Sequence, residues 1–154
     1  GDKMDIKQLL LERELNAVLS RYARACDQRD WAAMDDVFLK EATADYGGLH
    51  QLQGRGPIVA MIRVHLEGCG PSQHLLGNLL VESSDSTIVS RIYVRAAHRG
   101  AGNMQGLTYE SLAEYQDRWV STSDGWRIAH RRMDISHELG CRDILRPATE
   151  SAQG

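Results

Sequence analysis

The stretch STIVSRIYVRAAH, residues 86–98, alternates with a period of two. Ile88, Ser90, Ile92, Val94, Ala96 and His98 share one face of an extended chain. Thr87, Val89, Arg91, Tyr93, Arg95 and Ala97 share the other. The first face is the more apolar, so it is predicted to line a core or a pocket, with His98 ending a buried row. A helix would scatter these residues around its circumference, so the segment reads as a strand.

The neighbouring segments read the same way. Residues 72–82, 107–120 and 125 to about 135 are rich in β-branched and aromatic residues, and SSDS and STSDG supply turns. They pair most simply as an antiparallel meander. The loop HRGAGNMQG is longer and glycine-rich, and the tail DISHELGCRDILRPA leaves room for a short terminal helix.

The first half differs. Leu11, Leu15, Val18, Tyr22 and Ala25/Cys26 recur at three- and four-residue spacings, which places them on one face of an amphipathic helix. Asp30 is positioned to cap a second short helix through Trp31, Met34 and Phe38. ATADYGGLHQLQG reads as two short strands around the Gly47-Gly48 turn. GPIVAMIRVHLEG reads as a third helix, with Pro57 in its first turn and Gly68 at its end. Helices first and long strands after predict an α+β fold, one domain over residues 1–154: three N-terminal helices packed on a strongly curved, mixed, mostly antiparallel sheet. Such a sheet closes into a barrel-like cone whose mouth suits a small molecule.

Composition narrows the function classes. A net charge of -3 with no Lys/Arg block argues against a nucleic-acid partner. No apolar run approaches the roughly 18–20 residues that span a bilayer, and the polar N-terminal stretch lacks the apolar centre of a signal peptide. Cys26, Cys69 and Cys141 are an odd, widely spaced set and read as reduced thiols of a cytoplasmic protein. No compact Cys/His set predicts a metal, because Gly68 and Gly70-Pro71 break the helix that would align His65, Cys69 and His74. Phosphate-cradling and nucleophile-elbow motifs are absent as well.

Chemistry then rests on inward polar residues. In SQHLLGNLLVE (72–82), strict alternation puts His74, Leu76, Asn78 and Leu80 on one face. If that face looks inward, His74 and His98 approach one cavity from different strands. A lone strand histidine is ordinarily a satisfied core residue. Two of them with a nearby acid suit proton transfer near neutral pH. Asp27 is a candidate acid, although it lies on the flank of the helical stripe. Asp45 suits a local turn role. Tyr22 and Tyr46 are candidate hydrogen-bond donors to a carbonyl.

With these residues in view, the chain resembles the SnoaL-like group of the nuclear transport factor two-like superfamily, and most closely scytalone dehydratase. The resemblance is carried by ARACDQRDWAAMDDVF, ADYGGL, QHLLGNLLVE and DGWRIAHRRMD, within roughly residues 8–145. It implies catalytic roles for Asp27 in the D-x-x-D-W helix end, His74 in SQH, His98 in VRAAHRG and Tyr46 in the D-Y strand end. The family has a second active-site tyrosine directly before the Asp; this chain has Cys26 there, and Tyr22, one helical turn earlier, is the candidate substitute. Tyr109 and Ser111 are the nearest matches to the family's polar residues on the third long strand, and Asn78 is a further substrate-binding candidate.

The resemblance also implies a cofactor-free, homo-oligomeric protein, dimer or trimer, that closes an apolar pocket around a small hydrophobic cyclic substrate. The reaction it implies is dehydration of a hydroxylated cyclic carbonyl compound. His74, oriented by Asp27, takes the α-proton, Tyr46 and Tyr22 stabilise the enolate, and His98 assists departure of the hydroxyl. An isomerase or polyketide-cyclase-type enzyme would use the same dyad without a leaving group. A binding protein would use the pocket alone.

Overall fold

A computed structural model describes residues 5–48 and 50–145. Helix α1 (Ile6–Gln28) opens the chain, capped by the Asp5 carboxylate, which accepts from the Lys7 and Gln8 amides. Its buried stripe contains Leu15, Val18, Leu19, Tyr22 and Cys26, as the periodicity predicts. A short 3-10 helix follows (Trp31–Asp36), and Asp30 accepts from the Ala33 amide at 3.3 Å. The expected second helix is therefore this tight turn, and Phe38 opens a strand instead. The helical layer is thus two α-helices and a 3-10 turn, with α2 entering only after the first hairpin.

Strand β1 (Phe38–Tyr46) turns through Gly47-Gly48 into β2 (His50–Gln53). Asp45 accepts from the Gly48 amide at 2.9 Å, the turn role expected of it. Helix α2 (Arg55–Glu67) carries Ile58, Ile62 and Leu66 inward. Four long strands complete the chain: β3 (Ser72–Ser84), β4 (Thr87–Arg99), β5 (Thr108–Thr122) and β6 (Gly125–Gly140). Strand β6 runs on into the tail as far as Gly140, and the short terminal helix for which the tail leaves room is a 3-10 helix over Arg142–Leu145.

All six strands form one sheet in the order β2-β1-β6-β5-β4-β3. Every pairing is antiparallel except β1 with β6, so the fold is α+β with a mixed, mostly antiparallel sheet. Helix α1 packs against β3 and β6, and α2 against β1. Between them lies a core that includes Leu15, Leu19, Phe38, Ile58, Ile92 and Ile128. Each such fully buried side chain contributes about 1.5–3 kcal/mol. The alternation of 86–98 holds: Ser90, Ile92, Val94, Ala96 and His98 are buried and Arg91, Tyr93 and Arg95 exposed.

In β3 the alternation breaks. Register slips between Gly77 and Leu80, and Asn78 takes a left-handed conformation with φ 59°. This bulge reverses which side chains face inward. Leu79 and Val81 are shielded, whereas Asn78 and Leu80 are exposed. Asn78 therefore does not share the His74 face. It lines a solvent-facing groove with Leu75, Tyr93 and Arg95.

Candidate functional site

The C-terminus of α1 sets the site. The helix ends with Arg29 in the left-handed region (φ 57°, ψ 33°). The Asp30 amide donates to the Ala25 carbonyl at 2.9 Å and the Arg29 amide to Cys26 at 3.3 Å, the paired bonds of a Schellman ending. The Arg29 side chain then ties this end to the start of β3. It donates to the Cys26 carbonyl at 2.7 Å, the Ser72 hydroxyl at 2.7 Å and the Gly70 carbonyl at 2.6 Å. Held this way, Asp27 leaves the flank of the stripe and meets β3. Its Oδ1 accepts from His74 Nδ1 at 2.7 Å and from the Ser72 hydroxyl at 3.0 Å, and its Oδ2 accepts from the His74 amide at 2.9 Å.

These bonds fix charge and tautomer together. Burial pushes the Asp27 carboxyl upward, but the His74 side-chain and amide bonds outweigh it, and the group sits below its ordinary range. An ionised carboxylate can only accept, so Nδ1 of His74 carries a proton, and in the neutral imidazole the free lone pair is then that of Nε2.

Sheet register brings the second histidine close. His74 stands opposite Ala96, which stands opposite Ser111; one row away, Ser72, His98 and Tyr109 align. The imidazoles are therefore diagonal neighbours, with ring centres 5.8 Å apart and edge-to-face. His98 Nδ1 donates to the Tyr109 carbonyl at 3.1 Å, and the Tyr109 ring stacks on it at 5.5 Å. Burial pushes His98 down to about 4, against the opposing pull of that carbonyl bond. His98 is thus neutral at pH 7 with Nε2 bare, an acceptor and not a resting acid. Tyr109 in turn donates a short hydrogen bond to Glu138.

The other wall is phenolic. Tyr46, Met133 and Tyr115 form one row across β1, β6 and β5. Tyr22 of α1 lies over them, its hydroxyl 3.3 Å from that of Tyr46 and 3.5 Å from that of Tyr115. Burial raises all three phenols, so they remain protonated donors. Cys26, where the resemblance expects a tyrosine, is fully buried outside the pocket lining, and burial pushes its thiol to about 12. Tyr22, not Cys26, supplies a polar group to the pocket.

These residues enclose a pocket of about 120 Å³. Tyr22, Tyr46, His74, His98, Tyr109 and Ser111 all line it, as do Met61, Ile62 and Leu66 of α2. Asp27 stands behind His74, and Asn78 is excluded by the bulge. Sequence reasoning missed His65 and Arg142, which also line the pocket, and Tyr115, which lies in phase with Tyr109 and Ser111 on β5. It also missed Arg131 and Asp117, opposite one another on β5 and β6 and both fully inaccessible. A charge on the apolar face of each strand was the signal. Among the described residues, no three His, Cys, Asp or Glu side chains converge as a metal site would require, and no helix is long and apolar enough to cross a membrane.

The six-stranded α+β architecture and the site's composition define a class of small pocket-forming proteins. The sequence matches the SnoaL-like domain over residues 7–132, and the chain belongs to that family. The uncharacterized protein Rv2910c of Mycobacterium tuberculosis is 34% identical over 132 residues, covering 85% of this chain and 83% of that protein. The "Putative Scytalone Dehydratase" of Novosphingobium aromaticivorans superposes with a TM-score of 0.77 at 16% identity, over 86% of this chain and 88% of that one. The hexachlorocyclohexane dehydrochlorinase LinA-type3 of Novosphingobium barchaimii superposes with a TM-score of 0.74 at 13% identity, over 89% and 94%. At these identities the two structures share the fold alone.

Proposed function

We propose that this protein is a cofactor-independent lyase that removes water from a small hydroxylated cyclic carbonyl compound. The observation that carries the reading is the Asp27–His74 pair, a 2.7 Å hydrogen bond at Nδ1 of a histidine that lines a largely apolar pocket. Lining residues drawn from α1, α2 and five strands also support the sheet curling into a cone around that pocket.

The α-proton passes to His74 Nε2 as its C–H electron pair moves into the carbonyl, which becomes an enolate. A base held in place and partly desolvated lowers this barrier. Tyr46 and Tyr22 donate to the enolate oxygen. The enolate then re-forms the carbonyl, its electrons make the new C=C bond, and the β C–O bond breaks. The departing hydroxyl takes back the proton from the His74 imidazolium and leaves as water. His98 orients that hydroxyl as an acceptor through Nε2, which replaces the acid role suggested by the resemblance.

The neutral state of His98, whose one N–H is spent on the Tyr109 carbonyl, also favours a second reading. An isomerase or cyclase uses the same proton abstraction and needs no leaving group. A screen of hydroxylated cyclic ketones, followed by water loss and by proton exchange at the α-carbon, separates the two. Exchange without water loss selects the isomerase or cyclase. Neither event on any ligand that binds the pocket selects a binding protein.

Self-association through the outer sheet face belongs to the same proposal, supported by Leu75, Leu80 and Tyr93 exposed there. Sedimentation of the wild type and of a Leu80→Lys/Tyr93→Glu variant tests it: a dimer or trimer is expected, and a monomer for the variant.

A further inference from the structure

The pocket carries a charge that the proton-transfer chemistry does not use. Arg142 is the one lysine or arginine among the described residues that line it, and none of those residues is an aspartate or glutamate. Arg142 opens the 3-10 helix that follows β6. The Cys141 amide donates to the Thr108 carbonyl at 2.8 Å and Ile144 is buried, so the backbone on both sides of Arg142 is held against the fold. The Arg142 side chain is 51% exposed, whereas that of His74 is 7% exposed. The pocket therefore has a deep end, where His74, His98 and the phenols meet, and a solvent-facing end marked by a guanidinium. That guanidinium is loosely engaged. Its Nη1 lies 3.4 Å from Glu138 Oε1, and the same oxygen accepts the short hydrogen bond of the Tyr109 hydroxyl. Arg131 and Arg29, which hold the fold, sit closer to their partners: 2.8 and 2.9 Å to Asp117, and 2.6 Å to the Gly70 carbonyl. An exposed ion pair as long as Arg142–Glu138 adds little stability. A guanidinium also presents a planar fork that matches a carboxylate with two parallel hydrogen bonds.

We propose that Arg142 is a specificity-determining residue: it takes a carboxylate that the substrate bears on the side of its ring away from the reacting carbonyl, so that the substrate class is hydroxylated cyclic keto acids. The inference rests on the dehydratase reading and names the substrate of that same site. Glu138 gives up Arg142 when the substrate carboxylate arrives and keeps its bond from Tyr109. Met61, Ile62 and Leu66 of α2 supply apolar wall for the ring. With its acid group held at the solvent-facing end, the ring presents its opposite edge to His74, which fixes the orientation that proton abstraction needs. A neutral cyclic ketone lacks this anchor.

The test uses probes that lack the β-hydroxyl and so cannot be dehydrated: 4-oxocyclohexanecarboxylate and its neutral isostere 4-oxocyclohexanecarboxamide. Calorimetric titration of the wild type at pH 7 should show the carboxylate bound at least ~10-fold more tightly than the carboxamide. Arg142→Gln, a change at an exposed side chain, should bring the two affinities within about twofold while carboxamide binding persists. Arg142→Lys should restore part of the preference, and Glu138→Gln should widen it because the competing charge is gone. Equal affinities in the wild type overturn the proposal. So does a preference that survives Arg142→Gln, that narrows in Glu138→Gln or that disappears in His74→Ala, or the failure of both probes to bind. Exchange of the probes' α-protons in D2O, followed by NMR, reports separately on the reaction: His74→Ala should abolish exchange and keep the carboxylate preference. A wild type that prefers the carboxylate but exchanges no α-proton supports the Arg142 assignment and counts against the lyase reading.

Discussion

At the scale of single residues, the site depends on which nitrogen carries a proton. Asp27 holds the Nδ1 proton of His74, and the Tyr109 carbonyl holds that of His98. His74→Ala and Asp27→Asn should each lower turnover by at least ~10²-fold on a substrate found by the screen, read as kcat. Near-wild-type rates in both would remove the dyad from the mechanism. His98 also makes a stability prediction. Its folded pKa is depressed to about 4, below the roughly 6.5 of an unfolded histidine. The unfolded chain therefore binds a proton that the folded chain refuses, and stability falls as pH drops through that interval, by about 3 kcal/mol at most. Urea unfolding at pH 7 and pH 4.5 should show the loss, and His98→Gln should flatten it. Asp27 works in the same direction in a lower window: its stabilising bonds are complete above the ordinary carboxylate range and are lost as pH falls through its depressed pKa. The gathering of Asp27, His74, His98 and Tyr46 around one pocket was legible as residue types in a known pattern. Their tautomers were not, because a proton's position follows from what the other nitrogen meets across the fold.

At the scale of elements, one extra residue in β3 changes a side chain's assignment. Alternation alone puts Asn78 beside His74; the bulge at Gly77–Asn78 turns it out. Asn78→Ala should thus leave kcat/KM within about twofold, and it should cost about 1 kcal/mol because alanine resists the left-handed conformation. Asn78→Gly should not. Differential scanning calorimetry of the two variants checks this, and a large loss of activity in Asn78→Ala would return it to the pocket. Gly140 has the opposite character. It sits at φ 86°, and a Cβ there would lie 2.2 Å from the Thr108 carbonyl oxygen. Its freedom ends β6 and lets the chain turn so that Arg142 and Leu145 reach the pocket. Gly140→Ala should destabilise by roughly 1–3 kcal/mol and raise KM more than it lowers kcat. The periodicities of α1, α2 and β4 were readable because each buries one regular face. The bulge was not, since Gly and Asn also occur in unbroken strands and only register against β4 reveals the slip.

At the scale of the whole molecule, the Arg131–Asp117 pair joins β5 and β6 at the middle of the sheet. Breaking it from one side leaves a buried charge uncompensated. Arg131→Met and Asp117→Leu should each cost about 3–5 kcal/mol, and the double variant much less than their sum, measured by chemical denaturation. An additive result would mean that the two charges do not act as a unit.

The sequence by itself determined the α+β class, the run of long strands, the inward row ending at His98 and the family to which the chain belongs. These follow from local periodicity and from short motifs, which need no knowledge of distant contacts. Only the tertiary structure decided which nitrogen of His74 faces Asp27, the outward turn of Asn78, the neutral state of His98 and the burial of Arg131 behind three phenols. Each depends on residues brought together from separate elements, some from nearly opposite ends of the chain. Hydrogen-bond geometry, burial and charge exist only once the sheet has set its register and Arg29 has pinned the end of α1 against β3.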